Sequence, residues 1–123
     1  MQRLRFLTLL TVGLLVVAAC GTASPSAAPG GNAAATVTIT DAASPGFFDP
    51  ATVTIKVGQA VQFINQSSGP HSVQWQAGGF ATSAPFNKGG APYITPVFTT
   101  AGTFPYICGI HGAVMSGKVV VQP

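Results

Sequence analysis

Three side chains with metal-binding chemistry lie within eight residues near the C-terminal end of the chain. Cys108, His111 and Met115 fall in the segment PYICGIHGAVMSGKVVV. The chain of 123 residues has two Cys, two His and two Met, and its first 20 residues hold the other Cys and the other Met. The other imidazole belongs to His71, in the segment NQSSGPHSVQW. These are soft and intermediate donors, and copper favours a plane of two His and one Cys with a distant Met on its axis.

Short β-strands separated by turn residues are the elements that must position these donors. Runs of β-branched and aromatic residues are divided by Gly, Pro, Asn and Ser. They predict strands over residues 36–40, 52–57, 60–65, 72–76, 93–99, 103–108 and 118–121. Residues 77–92 are rich in Gly, Ala and Pro and predict a loop. About seven to eight short strands at this spacing predict an all-β fold, a Greek-key β-sandwich or barrel.

The alternation of side chains along a strand predicts which donors point inward. In residues 103–108 it places Phe104, Tyr106 and Cys108 on one face. Because two aromatic residues belong in the core, Cys108 should point inward at the end of its strand. His111 and Met115 should then lie on the turn that follows, which can fold back over the thiol. By the same rule, Val53, Ile55 and Val57 should point inward from residues 52–57.

The composition excludes two broad classes of protein. Charged residues make up 6% of the chain and hydrophobic residues 47%, which is too apolar for a disordered protein. The formal charge is +3, but Arg3 and Arg5 lie in the leader, and from residue 20 onward three lysines against two aspartates leave +1. Without a basic stripe, nucleic acid is a poor candidate partner.

The first 19 residues predict a signal peptide of the lipoprotein type. Arg3 and Arg5 precede an apolar run of 14 residues, 6–19, which is shorter than the span of about 20 that a transmembrane helix needs. The sequence Val-Ala-Ala-Cys over residues 17–20 resembles the bacterial lipobox, in which the Cys carries a diacylglycerol and becomes the new N-terminus. The alternatives are an ordinary signal peptide or an uncleaved anchor. Each of these places the domain outside the cytoplasm, either on the outer face of the cell membrane or in the periplasm.

The chain after Cys20 divides into a linker and one domain. Residues 20–35 are small, polar or turn-forming and predict a flexible linker to the lipid. Residues 36–123 predict a single folded domain that is large enough for its own core. If Cys20 carries lipid, Cys108 has no partner for an intramolecular disulfide.

Two long segments of the chain resemble the cupredoxins, the type 1 blue copper proteins of the plastocyanin and amicyanin type. GTFPYICGIHGAVMSGKVVV matches the family pattern Tyr-x-Cys-x2-His…Met-x-Gly. FDPATVTIKVGQAVQFINQSSGPHSVQW matches Val-x-Val-x-x-Gly…Phe/Trp-x-Asn…Pro-His. The resemblance implies a cupredoxin-like fold and one copper ion, with His71, Cys108 and His111 in the plane and Met115 as the axial ligand.

The chain departs from this family pattern in two places. Three residues separate His111 from Met115, one fewer than is typical of plastocyanins and one more than is typical of amicyanins. Ser72 follows the first histidine, where the family often has Asn. We expect Ser72 to support the site through its backbone N–H toward the Cys108 sulfur and its hydroxyl toward the Gly109 backbone.

The resemblance further implies a monomeric electron carrier rather than an enzyme. Single electrons would pass between extracytoplasmic redox partner proteins as copper alternates between Cu(I) and Cu(II). The edge of the His111 imidazole would lie in an apolar surface patch, with Gly69, Pro70, Gly112 and Ala113 as neighbours. Docking there would be transient and mainly apolar, so salt should affect it weakly.

Other functions remain open at the level of the sequence. A multicopper oxidase or a nitrite reductase needs further histidines, and a binuclear copper-A centre needs two cysteines at the site, which this chain does not supply. A copper carrier or storage protein would use the same four ligands and exchange the metal readily. A metal-free adhesion-like sandwich would leave the clustering of the donors unexplained.

Overall fold

The computed structural model describes residues 33–43 and 47–123 of the chain. The predicted signal peptide, the predicted lipidation site Cys20 and the rest of the predicted linker up to residue 32 lie outside the described residues. Among those that are described, no helix is long and apolar enough to cross a membrane.

The described residues form eight β-strands in two four-stranded sheets. The strands are β1 Ala35–Ile39, β2 Phe48–Asp49, β3 Thr52–Lys56, β4 Val61–Asn65, β5 Val73–Trp75, β6 Tyr93–Ile94, β7 Gly102–Cys108 and β8 Gly112–Gln122. One sheet has the order β2-β1-β4-β6 and the other has the order β3-β8-β7-β5. The β1–β4 and β3–β8 pairs are parallel, and the remaining pairs are antiparallel.

The core lies between the two sheets and is built by alternation along the strands. In β3 and β4, every second residue is buried, because successive side chains of a strand point to opposite faces. Tyr106 of β7 lies at the centre, with its ring centroid 5.0 Å from that of Phe48, 5.1 Å from that of Phe63 and 5.3 Å from that of Trp75. These edge-on contacts join the sheets and fix the orientation of β7, the strand that ends at Cys108.

The predicted all-β sandwich is confirmed, and its strands differ from the prediction in several details. β1 begins at Ala35, one residue before the predicted start of the domain. β6 is confined to Tyr93–Ile94, where the prediction covered residues 93–99, and β2 was not predicted. The prediction that Val57 points inward is wrong, since its side chain is 41% exposed. The chain has already left β3 there to turn at Gly58, which has a φ of +87°.

Candidate metal centre

The end of β7 places Cys108 inside the sandwich, as alternation predicted. Phe104, Tyr106 and Cys108 are all buried on one face, and Cys108 is fully buried as a free thiol. The chain then leaves the strand in a turn over residues 109–111. His111, at the end of that turn, is exposed. The turn therefore carries the chain from a buried thiol to an imidazole at the surface within three residues.

Met115 lies in a strand, and its predicted place on the turn is wrong. β8 begins at Gly112, whereas the prediction began that strand at Lys118. The pairing of β7 with β8 shifts register at a bulge, so that Ile107 pairs with Ser116 but Cys108 pairs with Gly112. Residues 113–115 are thus extra on β8, and this irregularity redirects the backbone beside Cys108. Met115 is buried there.

A hydrogen-bonded loop carries His71 to the same end of the sandwich. The Asn65 side-chain amide, at the end of β4, donates to the Gly69 and Phe86 carbonyls at 2.8 Å each. Its oxygen accepts from the Ser67 amide at 2.8 Å and from the Ser67 hydroxyl at 2.6 Å. Three of these bonds tie residues 65–69 into a compact turn and the fourth joins that turn to Phe86, so His71 has a defined position.

The backbone of His71 is held by a two-residue bridge. Its amide donates to the Phe86 carbonyl at 3.2 Å, and the Phe86 amide donates to the His71 carbonyl at 2.9 Å. Phe86 lies within residues 77–92, which the sequence predicted to be a loop; the segment has this one isolated bridge. His71 is 6% exposed, and burial fixes its side chain beside Cys108.

The structure brings the two histidines and the cysteine together. The Cys108 sulfur lies 3.6 Å from His71 Nδ1 and 3.4 Å from His111 Nδ1. The two imidazole centroids are 4.7 Å apart, and the possible ligand atoms of all three residues lie within 4.8 Å of one another. Donor atoms at such separations suit one ion with bonds of about 2 Å. Two nitrogens and a thiolate are the set that fits copper.

A cavity of about 250 Å³ opens beside these donors. Both imidazoles and Met115 line it, so the fourth sequence-predicted ligand faces the same space as His71 and His111. The other lining residues are Thr40, Asp41, Phe47, Ser68, Gly69 and Val114. The predicted axial role of Met115 is compatible with this placement, and it stays a prediction.

Electrostatics favour a neutral imidazole at His71. Burial lowers the pKa of His71 from its ordinary value of 6.5, and the nearby His111 imidazole lowers it further, while the Asp41 carboxylate acts in the opposite direction. A neutral imidazole keeps a lone pair for a metal. The side chain can therefore accept an ion without first losing a proton near neutral pH.

Ser72 supports the turn mainly through its backbone. The Gly109 amide donates to the Ser72 carbonyl at 3.4 Å. The Ser72 hydroxyl packs against Gly109 so closely that a Cβ at that position would lie 2.6 Å from its oxygen. Glycine at 109 thus lets the His71 loop and the Cys108 turn meet.

Sequence reasoning missed several residues of the site. Ile110 lies on the turn and Val114 on β8, and they are 46% and 78% exposed; two apolar residues in this Gly-rich segment could have indicated an apolar surface. Asp41 lies more than 25 residues from every donor, and nothing local in the sequence pointed to it. Asn65 was visible only as part of the family pattern.

Comparison with known proteins identifies the family. The family model described as "Cupredoxin-like domain" matches residues 11–121. Amicyanin of Paracoccus denitrificans is 41% identical over 71 residues, which cover 55% of this chain and 53% of that protein. The match thus spans about half the length of that relative.

Solved structures agree with this assignment. A purple cupredoxin from Nitrosopumilus maritimus matches with a TM-score of 0.63 and 29% identity, covering 72% of this chain and 99% of that one. A reduced amicyanin variant matches with a TM-score of 0.59 and 32% identity, covering 78% and 89%. A copper-containing nitrite reductase from Thermus scotoductus has a TM-score of 0.58 and 25% identity, but only 22% of its chain is covered. The fold, the donor set and these matches together show that the chain belongs to the cupredoxin-like family.

Proposed function

We propose that this protein is a mononuclear type 1 copper protein that transfers single electrons. His71, Cys108 and His111 hold the ion, and Met115 is a fourth, more distant ligand. One observation carries the proposal: a fully buried thiol lies 3.4–3.6 Å from two imidazole nitrogens in a member of the cupredoxin-like family. A bound copper ion supplies one-electron chemistry by alternating between Cu(II) and Cu(I).

The chain contributes a site that is already assembled. Cys108 is fixed by its strand, His71 by its loop and the Phe86 bridge, and Met115 by the bulge in β8. Because these elements belong to two packed sheets, the donors need little rearrangement when the charge of the ion changes. Burial of His71, Cys108 and Met115 also keeps water from three of the four positions.

Electrons leave and arrive through His111. It is the exposed member of the donor group, and Ile110 and Val114 make its surroundings apolar. Such a surface suits small, transient contacts with redox partner proteins. With few charges nearby, the rate of electron exchange with a partner should change little with salt. A rate that falls steeply as salt is added would contradict apolar docking.

The protein works outside the cytoplasm on a lipid anchor. This part of the proposal is supported by the basic, apolar and Val-Ala-Ala-Cys segments at the start of the sequence. Metabolic labelling with a radioactive fatty acid should mark the wild type but not Cys20→Ser. Label in both proteins, or in neither, would rule out this anchor.

An electron carrier fits better than an enzyme. The chain has two histidines, and the proposed copper site uses both, so none is left for a second metal centre of the kind that copper oxidases need. A copper carrier with the same ligands remains the second candidate, because an open cavity reaches the donors from solvent. An electron carrier and a copper carrier differ in how fast the protein loses its copper.

A visible spectrum tests the proposal. Adding Cu(II) should produce intense absorption that a reductant bleaches and an oxidant restores. Cys108→Ser should abolish it, whereas Cys20→Ser, the only other cysteine variant that the chain allows, should keep it. Absence of the band in the wild type would overturn the proposal, and rapid loss of copper to a chelator would favour the carrier.

A further inference from the structure

One of only two acidic residues in the whole chain lies at the metal centre. The chain has two acidic side chains, Asp41 and Asp49. Asp41 lines the cavity that both imidazoles and Met115 also line. Asp49 lies on β2, paired with Thr38 of β1, and does not line that cavity. The chain therefore offers an acidic group at the site and a chemically identical one elsewhere.

The Asp41 carboxylate is held in place although it is exposed. Both of its oxygens accept from the Ser68 amide at 3.0 Å, and Oδ1 also accepts from the Ser68 hydroxyl at 3.1 Å. Ser68 precedes His71 by three residues in the hydrogen-bonded loop. These bonds fix a negative charge against the loop that carries one of the imidazoles.

The carboxylate faces the same space as the donors. Asp41 lines one cavity with His71, His111 and Met115, and its bonds to Ser68 hold it there. A fixed negative charge beside a site favours positive charge at that site, because opposite charges attract.

We propose that Asp41 lowers the reduction potential of the copper site by placing a fixed negative charge beside it. The inference rests on the proposed function. Reduction adds one electron to Cu(II) to give Cu(I), so the oxidised site carries one more positive charge. A negative group nearby stabilises the oxidised state more than the reduced state. Asp41 acts through the field of its charge, without bonding to the ion.

A comparison of two variants that each lose one carboxylate tests the proposal. Asp41→Asn keeps an oxygen that can accept from Ser68 but removes the charge, and Asp49→Asn makes the same change away from the site. The potential of each copper-loaded protein is measured by spectroelectrochemical titration at neutral pH. We expect an upward shift in Asp41→Asn that clearly exceeds the shift in Asp49→Asn. The difference should narrow as salt is added, because the carboxylate is exposed.

A third variant separates charge from loop position. Ser68→Ala removes the hydroxyl donor but keeps the backbone donor and the carboxylate, so its potential should match the wild type. Equal shifts in Asp41→Asn and Asp49→Asn, or a Ser68→Ala shift as large as that of Asp41→Asn, would overturn the inference. If the proposed function itself is wrong, the wild type will show no reversible one-electron couple. That result is distinct from a wild type that shows the couple with equal shifts in the variants. Urea unfolding of the metal-free proteins checks that all four chains remain folded.

Discussion

Tyr106 carries a hydroxyl that is fully buried and has no hydrogen-bond partner among the described residues. Burial raises the pKa of this phenol well above its usual value. A buried hydroxyl without a partner loses its hydrogen bonds to water and forms none in the folded protein, so it lowers the free energy of unfolding. Its aromatic ring, by contrast, contacts three other aromatic residues at the centre of the core. We therefore assign the contribution of Tyr106 to its ring.

Tyr106→Phe should leave the free energy of unfolding unchanged or raise it by up to about 1 kcal/mol. Tyr93→Phe is the matched control, because the Tyr93 hydroxyl accepts a hydrogen bond from Trp75 Nε1 at 3.4 Å. That bond is long, so its loss should cost about 0.5 kcal/mol. Urea denaturation of both metal-free variants gives the comparison. A Tyr106→Phe variant less stable than Tyr93→Phe would show that the Tyr106 hydroxyl has a partner.

The pKa of His71 predicts how the stability of the metal-free protein depends on pH. Burial, together with the His111 imidazole, lowers this pKa below 6.5, so the unfolded chain binds a proton at His71 more readily than the folded one. The free energy of unfolding should be at its full value above pH 6.5 and should decrease as pH falls from 6.5 through the lower folded value. Urea midpoints measured across that window should fall in the wild type and fall less in His71→Gln. An identical slope in the two proteins would assign the effect to other groups.

At the scale of elements, the pairing of β7 with β8 places Tyr106 opposite Gly117. A Cβ at Gly117 would lie 2.5 Å from the Tyr106 hydroxyl oxygen and 2.8 Å from the Ala51 carbonyl oxygen. The core around Tyr106 has no room for the ring to move away, and the Ala51 oxygen belongs to the backbone. Glycine at 117 is therefore required by packing.

Gly117→Ala should destabilise the domain by about 1–3 kcal/mol, the usual cost of overpacking a core. Gly69→Ala is the control, since a Cβ there meets nothing within 4 Å and its φ is not positive. It should change the free energy of unfolding by less than about 0.5 kcal/mol. Thermal and urea unfolding of the metal-free proteins measure both. Equal effects at 69 and 117 would contradict this packing argument.

Strands with strong alternation were predictable, and strands defined by their partners were not. β3 alternates Val and Ile with polar residues, β4 begins in the same way with Val61, Gln62 and Phe63, and the sequence located both strands to within one residue. β2 has two residues and exists because it pairs with β1, a contact that no local pattern encodes. The start of β8 depends on a bulge opposite Cys108, so Met115 was predicted on a turn.

The same distinction applies to the site. The types of the donor residues and the family resemblance suggested His71, Cys108, His111 and Met115, and the structure groups them. The sequence did not indicate the residues from distant parts of the chain that hold the donors in place. Asp41 and Phe86 reach the site through contacts with Ser68 and His71, and such pairings follow from the tertiary fold alone.

At the scale of the whole molecule, the distribution of charge complements the proposed electron transfer. From residue 20 onward, three lysines and two aspartates are all the formally charged side chains. None of the lysines lines the cavity beside the donors. The surface around His111 therefore combines an exposed imidazole, exposed aliphatic side chains and a single carboxylate. Two copies of the protein can approach through this surface with little electrostatic repulsion.

Electron self-exchange between oxidised and reduced copies tests that surface without a natural partner. Val114 is 78% exposed and lines the cavity, whereas Val97 is 52% exposed and does not line it. Val114→Glu should slow self-exchange by about tenfold or more, because it desolvates and opposes like charges where the two copies meet. Val97→Glu makes the same substitution elsewhere and should leave the rate within about twofold.

NMR line broadening in mixtures of the two redox states gives the rate of self-exchange. Added salt should partly restore the rate of Val114→Glu and change that of the wild type less, because the variant adds a second negative charge beside Asp41 on each copy. If the two glutamate variants exchange equally fast, electrons cross at some other surface.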